Sequence, residues 1–240
     1  MVTSDKHCRQ IPGDTGKKLK GQKTMMLEKL RQEVFESLLE LPKNRLVTMH
    51  SGTVSGRDPE TGYIVIKPTG FRYDRLTPSD LLVMDINGKI LEGTLRPSSD
   101  TETHLYLYQH RPDIFGIVHT HSPYACIFAV LGKPIPAVMT SAALLGGEIP
   151  VGNYAAVGGE DIGSEIIRKI GKCSAIIMQN HGVYTIASTV WQATIDAVEV
   201  EDLAKIAHFA MLHGEPIVLT REQVEEFQNI YKTMYGQVEN

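Results

Sequence analysis

Ile114-Phe-Gly-Ile-Val-His-Thr-His-Ser-Pro123 is the stretch on which the fold of this chain turns. Residues 114–121 read as a buried strand that runs straight into the polar pair Ser122-Pro123. The strand ends in His119-Thr120-His121, and side chains two apart on a strand face the same side. Both imidazoles can therefore reach one ion, and chemistry is expected at the end of this strand.

A third histidine stands in Gln179-Asn180-His181-Gly182, between the apolar runs Ala175–Met178 and 183–186. An isolated H-x-H pair is as readily an accidental surface pair as a metal site, because histidine is often only a half-buried hydrogen-bonder. A further histidine at another buried strand end shifts the balance. Three histidine ligands with an open fourth position describe a catalytic zinc centre on His119, His121 and His181.

Outward from this centre, Leu27, Leu30, Val34, Leu38 and Leu41 recur at helical spacing and predict a helix over 27–41, ended by Pro42. Strand signals follow in Val54-Ser-Gly, Tyr63-Ile-Val-Ile and Leu81-Leu-Val-Met, with Asn87-Gly88 predicting a hairpin between 81–86 and 89–91. Helices are expected over 101–109, 124–131 and 160–170, a strand at 149–151, and a helical C-terminal third over 192–212 and 221–232. The mixture predicts one α/β/α sandwich domain with a largely antiparallel central sheet, over residues 26–238.

Composition matches an ordinary globular protein and argues against several other classes. The 240 residues carry a net charge of −4, with 42% hydrophobic and 22% charged residues, which suits a folded domain rather than a disordered chain. Lys and Arg are scattered, so no nucleic-acid surface is expected. No apolar run is long enough to span a membrane. Cys8, Cys126 and Cys173 are odd in number and far apart, which offers no disulfide framework and fits a cytoplasmic protein. Residues 1–25 are polar and Gly/Lys-rich and read as a disordered extension.

Three further segments carry groups suited to an anion. Arg96-Pro97-Ser98-Ser99-Asp100 precedes the helix at Thr101, where free backbone N–H groups, the helix dipole and two hydroxyls would bind a phosphate. The plainer reading makes Ser99 or Asp100 an N-cap. Gly52-Thr53-Val54-Ser55 and Lys67-Pro68-Thr69-Gly70 read by themselves as turns, yet both have the groups of an anion-binding loop.

In chain order, S-G-T-V-S, I-K-P-T-G, P-S-S-D, H-T-H-S, N-H-G and a terminal Y-G resemble the zinc-dependent class II aldolase/epimerase family, which contains L-fuculose-1-phosphate aldolase and L-ribulose-5-phosphate 4-epimerase. The resemblance implies a homotetramer with active sites at subunit interfaces and Zn2+ on the three histidines, with Mn2+ and Co2+ as alternatives. It implies a phosphorylated ketose held by Gly52, Thr53, Thr69, Gly70, Ser98 and Ser99. Asp100 would be the acid/base near the metal, and Tyr235 would exchange a proton with the aldehyde oxygen in an adjacent subunit's site. The implied reaction is retro-aldol cleavage of a ketose 1-phosphate to dihydroxyacetone phosphate and an aldehyde through a zinc-stabilised enediolate.

Epimerases of the family add a second acid/base, an aspartate whose place falls on Ala143 here, and alanine transfers no proton. That favours aldolase over 4-epimerase. A non-catalytic scaffold of the adducin-head kind is the remaining alternative. Thr53 departs from the family's usual asparagine, and Asp100 from the glutamate usual in the aldolases.

Overall fold

The computed structural model describes residues 25–234. All but the last residue of the extension expected over 1–25 lies outside them, as does Tyr235. Helix α1 (Glu28–Lys43) leads into strands β1 (Thr53–Arg57), β2 (Ile64–Ile66), β3 (Leu82–Met84) and β4 (Ile90–Glu92). Helix α2 (Thr101–His110), strand β5 (Gly116–Thr120) and helix α3 (Pro123–Leu131) follow. The chain then forms β6 (Val151–Gly152), α4 (Asp161–Lys169), β7 (Ala175–Met178), β8 (Val183–Ala187), α5 (Val190–His213) and α6 (Arg221–Met234).

These strands build one sheet in the order β4-β3-β2-β1-β5-β8-β7-β6. Every neighbouring pair is antiparallel except β6 with β7. The expected sandwich is therefore the observed one. Ile64, Ile66, Ile117 and Ile176 pack against Leu105 of α2 and Ile162 and Ile166 of α4. On the opposite face Val54, Val65 and Val118 meet Val34 and Leu38 of α1 and Ala193 and Ala197 of α5. Ile177 and Val183 extend that face against Phe128 of α3 and Leu203 of α5. Neighbours such as Ile117 and Val118 thus serve opposite layers, which is why the central strands are apolar without a break. Each fully buried aliphatic side chain contributes about 1.5–3 kcal/mol of transfer free energy.

Several boundaries differ from the sequence reading. Pro42 lies inside the last turn of α1 rather than beyond it. Its missing N–H forfeits one hydrogen bond, and Asn44 and Arg45 close the helix by donating to the carbonyls of Glu40 and Pro42. β5 stops at Thr120, so His121 stands one residue past the strand. Ile149 makes only an isolated bridge to Ile135, and pairing resumes at Val151. Thr140–Leu145, which has no periodic pattern in sequence, is a 3-10 turn that buries Ala142, Ala143 and Leu145 in the core. None of the helices among the described residues is long and apolar enough to cross a membrane.

Register is what prepares the site. Across β1, β5 and β8, Thr53 pairs with His119 and His119 pairs with Tyr184. Cross-strand partners share a face, so these three side chains form a row at the sheet end over which α2 begins.

Candidate active site

His119 is anchored at its Nδ1, 2.9 Å from the carbonyl oxygen of Val183. The ring N–H donates there, which leaves Nε2 as a lone pair directed outward. That Nε2 lies 3.1 Å from Nε2 of His121. His181 comes from the turn joining β7 to β8, where Asn180 takes a left-handed conformation (φ 57°) and the His181 N–H donates to the Met178 carbonyl. Gly182 makes the close approach feasible: a Cβ there would lie 2.3 Å from the Thr120 carbonyl oxygen and 2.9 Å from Cδ2 of His121.

One ligand nitrogen from each of His119, His121 and His181 falls within 4.8 Å of the others. Burial lowers the pKa of all three, that of His119 to about 3, so the imidazoles are neutral at pH 7 and carry free lone pairs. Nδ1 of His181 is buried with no hydrogen-bond partner. A neutral three-nitrogen set with an orphaned nitrogen fits a divalent cation.

Asp100 occupies the N-cap position of α2, yet its carboxylate makes no capping bond. It turns instead to the row beneath. Oδ2 accepts from the hydroxyls of Thr53 (3.2 Å) and Ser98 (3.3 Å), and Oδ1 accepts from the Tyr184 phenol (3.3 Å). Oδ1 is also 4.0 Å from Nε2 of His119. Burial pushes this carboxyl up, but a proton entering the site is shared with the imidazoles of His119, His104 and His181, and together with the Thr53 hydroxyl this holds the carboxyl below the usual carboxylate range. Asp100 is therefore an ionised, immobilised base beside the imidazoles.

A cavity of about 440 Å³ opens above these groups. Gly52, Thr53, Ser98 and Asp100 lie buried along it, while Thr69, Gly70 and Ser99 are exposed. The loops carrying Thr69 and Ser98 are tied together by the bond from Thr69 N to the Arg96 carbonyl and by a Pro68–Pro97 bridge. Gly52 has φ +83°, and a Cβ there would stand 2.5 Å from Val47 Cγ1. A larger open groove of about 1570 Å³ runs past Ala143, Lys172, Asp196 and Gln228. The histidines are absent from its walls, so we place the chemistry in the smaller cavity. Ala143, at the larger groove, is fully buried, its carbonyl accepting from Gln228 Nε2 at 2.8 Å.

Two further residues belong to this site: Lys67, which the sequence offered only as part of the Lys67-Pro68-Thr69-Gly70 segment, and Tyr184, which it did not mark. Lys67 is buried in the cavity wall, its ammonium donating to the His50 carbonyl at 2.8 Å and lying 5.2 Å from the centre of the Tyr73 ring. Burial lowers its pKa to about 8, against the opposing pull of Asp100. Its signal was a lysine ending the apolar run Ile64–Ile66. Tyr184, in the middle of β8, gave no signal beyond core. The carboxylate of Glu201 on α5 adds outside support, accepting the backbone N–H groups of Tyr124 and Ala125 in the first turn of α3, just after His121.

Residues 32–208, which carry the largely antiparallel sheet and the three histidines, match the family model of the class II aldolase and adducin N-terminal domain. The chain belongs to this family. An L-fuculose 1-phosphate aldolase is 33% identical with a TM-score of 0.82, over 85% of this chain and 96% of that one. YgbL of Klebsiella pneumoniae, described as a putative aldolase/epimerase/decarboxylase, is 25% identical with a TM-score of 0.75, over 85% of this chain and 100% of that one. An L-fuculose 1-phosphate aldolase from Glaciozyma antarctica PI12 shares the fold at 22% identity and a TM-score of 0.74, over 84% of this chain and 81% of that one.

Proposed function

We propose that this protein is a metal-dependent aldolase that cleaves a ketose 1-phosphate to dihydroxyacetone phosphate and an aldehyde. The observation that carries this reading is the convergence of three neutral imidazoles and the ionised Asp100 on one cavity that also offers hydroxyls and a buried lysine. In this reading His119, His121 and His181 hold the cation. The all-nitrogen donor set favours Zn2+, with Mn2+ and Co2+ as alternatives. When bound, the cation supplies Lewis-acid polarisation of the substrate carbonyl.

The remaining work falls to the chain itself. The hydroxyls of Thr69, Ser98 and Ser99 and the open backbone at Gly52 and Gly70 hold the phosphate, and the Lys67 ammonium balances its charge. In the direction of bond formation, the Asp100 carboxylate takes a proton from the hydroxymethyl carbon of dihydroxyacetone phosphate. The carbanion so formed adds to the aldehyde carbon, and Tyr235 of an adjacent subunit delivers the proton that turns the aldehyde oxygen into a hydroxyl. Cleavage reverses these steps. A homotetramer with sites at subunit interfaces accompanies this role for Tyr235. Epimerisation would need a second acid/base at residue 143, and Ala143 has no proton to give.

The test is release of dihydroxyacetone phosphate from a panel that includes L-fuculose 1-phosphate and L-rhamnulose 1-phosphate, with and without chelator. Chelator-sensitive release from a panel member is expected. Epimerisation of L-ribulose 5-phosphate with no release from the panel would overturn the lyase reading.

A further inference from the structure

Tyr184 is the direct cross-strand partner of His119, and its ring lies flat on that imidazole at 4.2 Å and 19°. Its hydroxyl sits at the start of α2, where it hydrogen-bonds both Thr103 and Asp100. Because an ionised carboxylate can only accept, the phenol proton is directed to Oδ1 of Asp100. That oxygen is the one 4.0 Å from the free Nε2 of His119, whereas Oδ2 faces Thr53 and Ser98. Oδ1 is thus the carboxylate oxygen that lies beside the free nitrogen of His119.

A carboxylate that ligates a cation loses basicity, because the ion is the largest charge in its surroundings. A base that must remove a proton from carbon is better kept off the ion. We propose that Tyr184 is a positioning residue: its hydroxyl withholds Oδ1 of Asp100 from the ion held by the three histidines and so keeps the carboxylate free for proton transfer. The inference rests on the metal-centre reading above. Tyr184 touches no reacting atom in this scheme; it acts through Asp100.

Tyr184→Phe removes the hydroxyl and keeps the ring on His119, so the sign of its effect separates positioning from mere packing. Direct titration with Co2+, without substrate, is expected to show binding about tenfold tighter in Tyr184→Phe than in the parent, the size of one hydrogen bond to a charged group. The cobalt absorption should change as a carboxylate oxygen joins the nitrogens, and in an Asp100→Asn background Tyr184→Phe should produce neither effect. Turnover of Tyr184→Phe should fall while KM holds. Parent protein that binds Co2+ beside a Tyr184→Phe variant of equal or weaker affinity would overturn this inference and leave the metal centre standing. Parent protein that takes up no Co2+ would overturn both.

Discussion

The hydroxyls of Thr53 and Ser98 meet at 2.7 Å, although 45 residues separate them in the chain. Both also reach Oδ2 of Asp100, so the carboxylate is held by one group from β1 and one from the loop before α2. Thr53 therefore has a defined task as an anchor of the Asp100 carboxylate.

Thr53→Val keeps the shape and removes the anchor. It leaves buried oxygens short of a partner, which costs about 1–3 kcal/mol. Melting should fall by several degrees, at roughly 2–4 °C per kcal/mol for a chain of this size. Turnover should fall about tenfold or more, since a displaced base costs rate steeply, and Thr53→Ser should retain most of it. Full activity in Thr53→Val would remove Thr53 from this role.

Lys67 makes substrate affinity depend on pH. Its folded pKa of about 8 lies below the ordinary 10.5, so the ammonium is present below pH 8 and is lost as pH rises through that value. KM for a phosphorylated substrate should rise above pH 8 in the parent. In Lys67→Met it should already be raised about ten- to hundredfold at pH 7 and vary little across this step. A parental pH profile in Lys67→Met would contradict the assignment.

Adding Zn2+ to stripped protein should raise its melting temperature, because only the folded chain assembles the three imidazoles. At a free concentration a hundred times Kd the gain is about 2.7 kcal/mol, or several degrees by scanning calorimetry. His181→Ala should remain folded and lose the gain. An equal shift in both proteins would place the ion elsewhere.

Gly182→Ala should damage the centre without touching a ligand. The added methyl meets the Thr120 carbonyl, which is backbone and cannot swing aside, so β8 or β5 must shift at a cost of about 1–3 kcal/mol. Zinc affinity, measured by competition with a chromophoric chelator, should drop. Unchanged affinity would mean that the turn has more room than this packing allows.

How much of this was legible in the sequence follows from the range of each signal. The core strands declared themselves as unbroken apolar runs, and His119, His121 and His181 as histidines at the ends of such runs. Asp100 and Ser98 were legible as a helix-start pattern, but that pattern also fits a simple cap, and only tertiary contact turns the Asp100 carboxylate away from its own helix. Tyr184 was not legible, because a tyrosine in Val183-Tyr-Thr-Ile-Ala187 looks like ordinary core until the β5–β8 register sets it on His119. The 3-10 turn over Thr140–Leu145 was hidden for a similar reason: packing against α5 and α6, rather than any periodicity, holds it.

The most direct test needs no knowledge of the aldehyde. Metal-loaded protein is mixed with dihydroxyacetone phosphate in D2O, and the hydroxymethyl signal is followed by proton NMR. The account predicts replacement of one of the two hydrogens on that carbon by deuterium, abolished by chelator and by Asp100→Asn. An inert hydroxymethyl group with loaded parent protein, or exchange that survives Asp100→Asn, would contradict it.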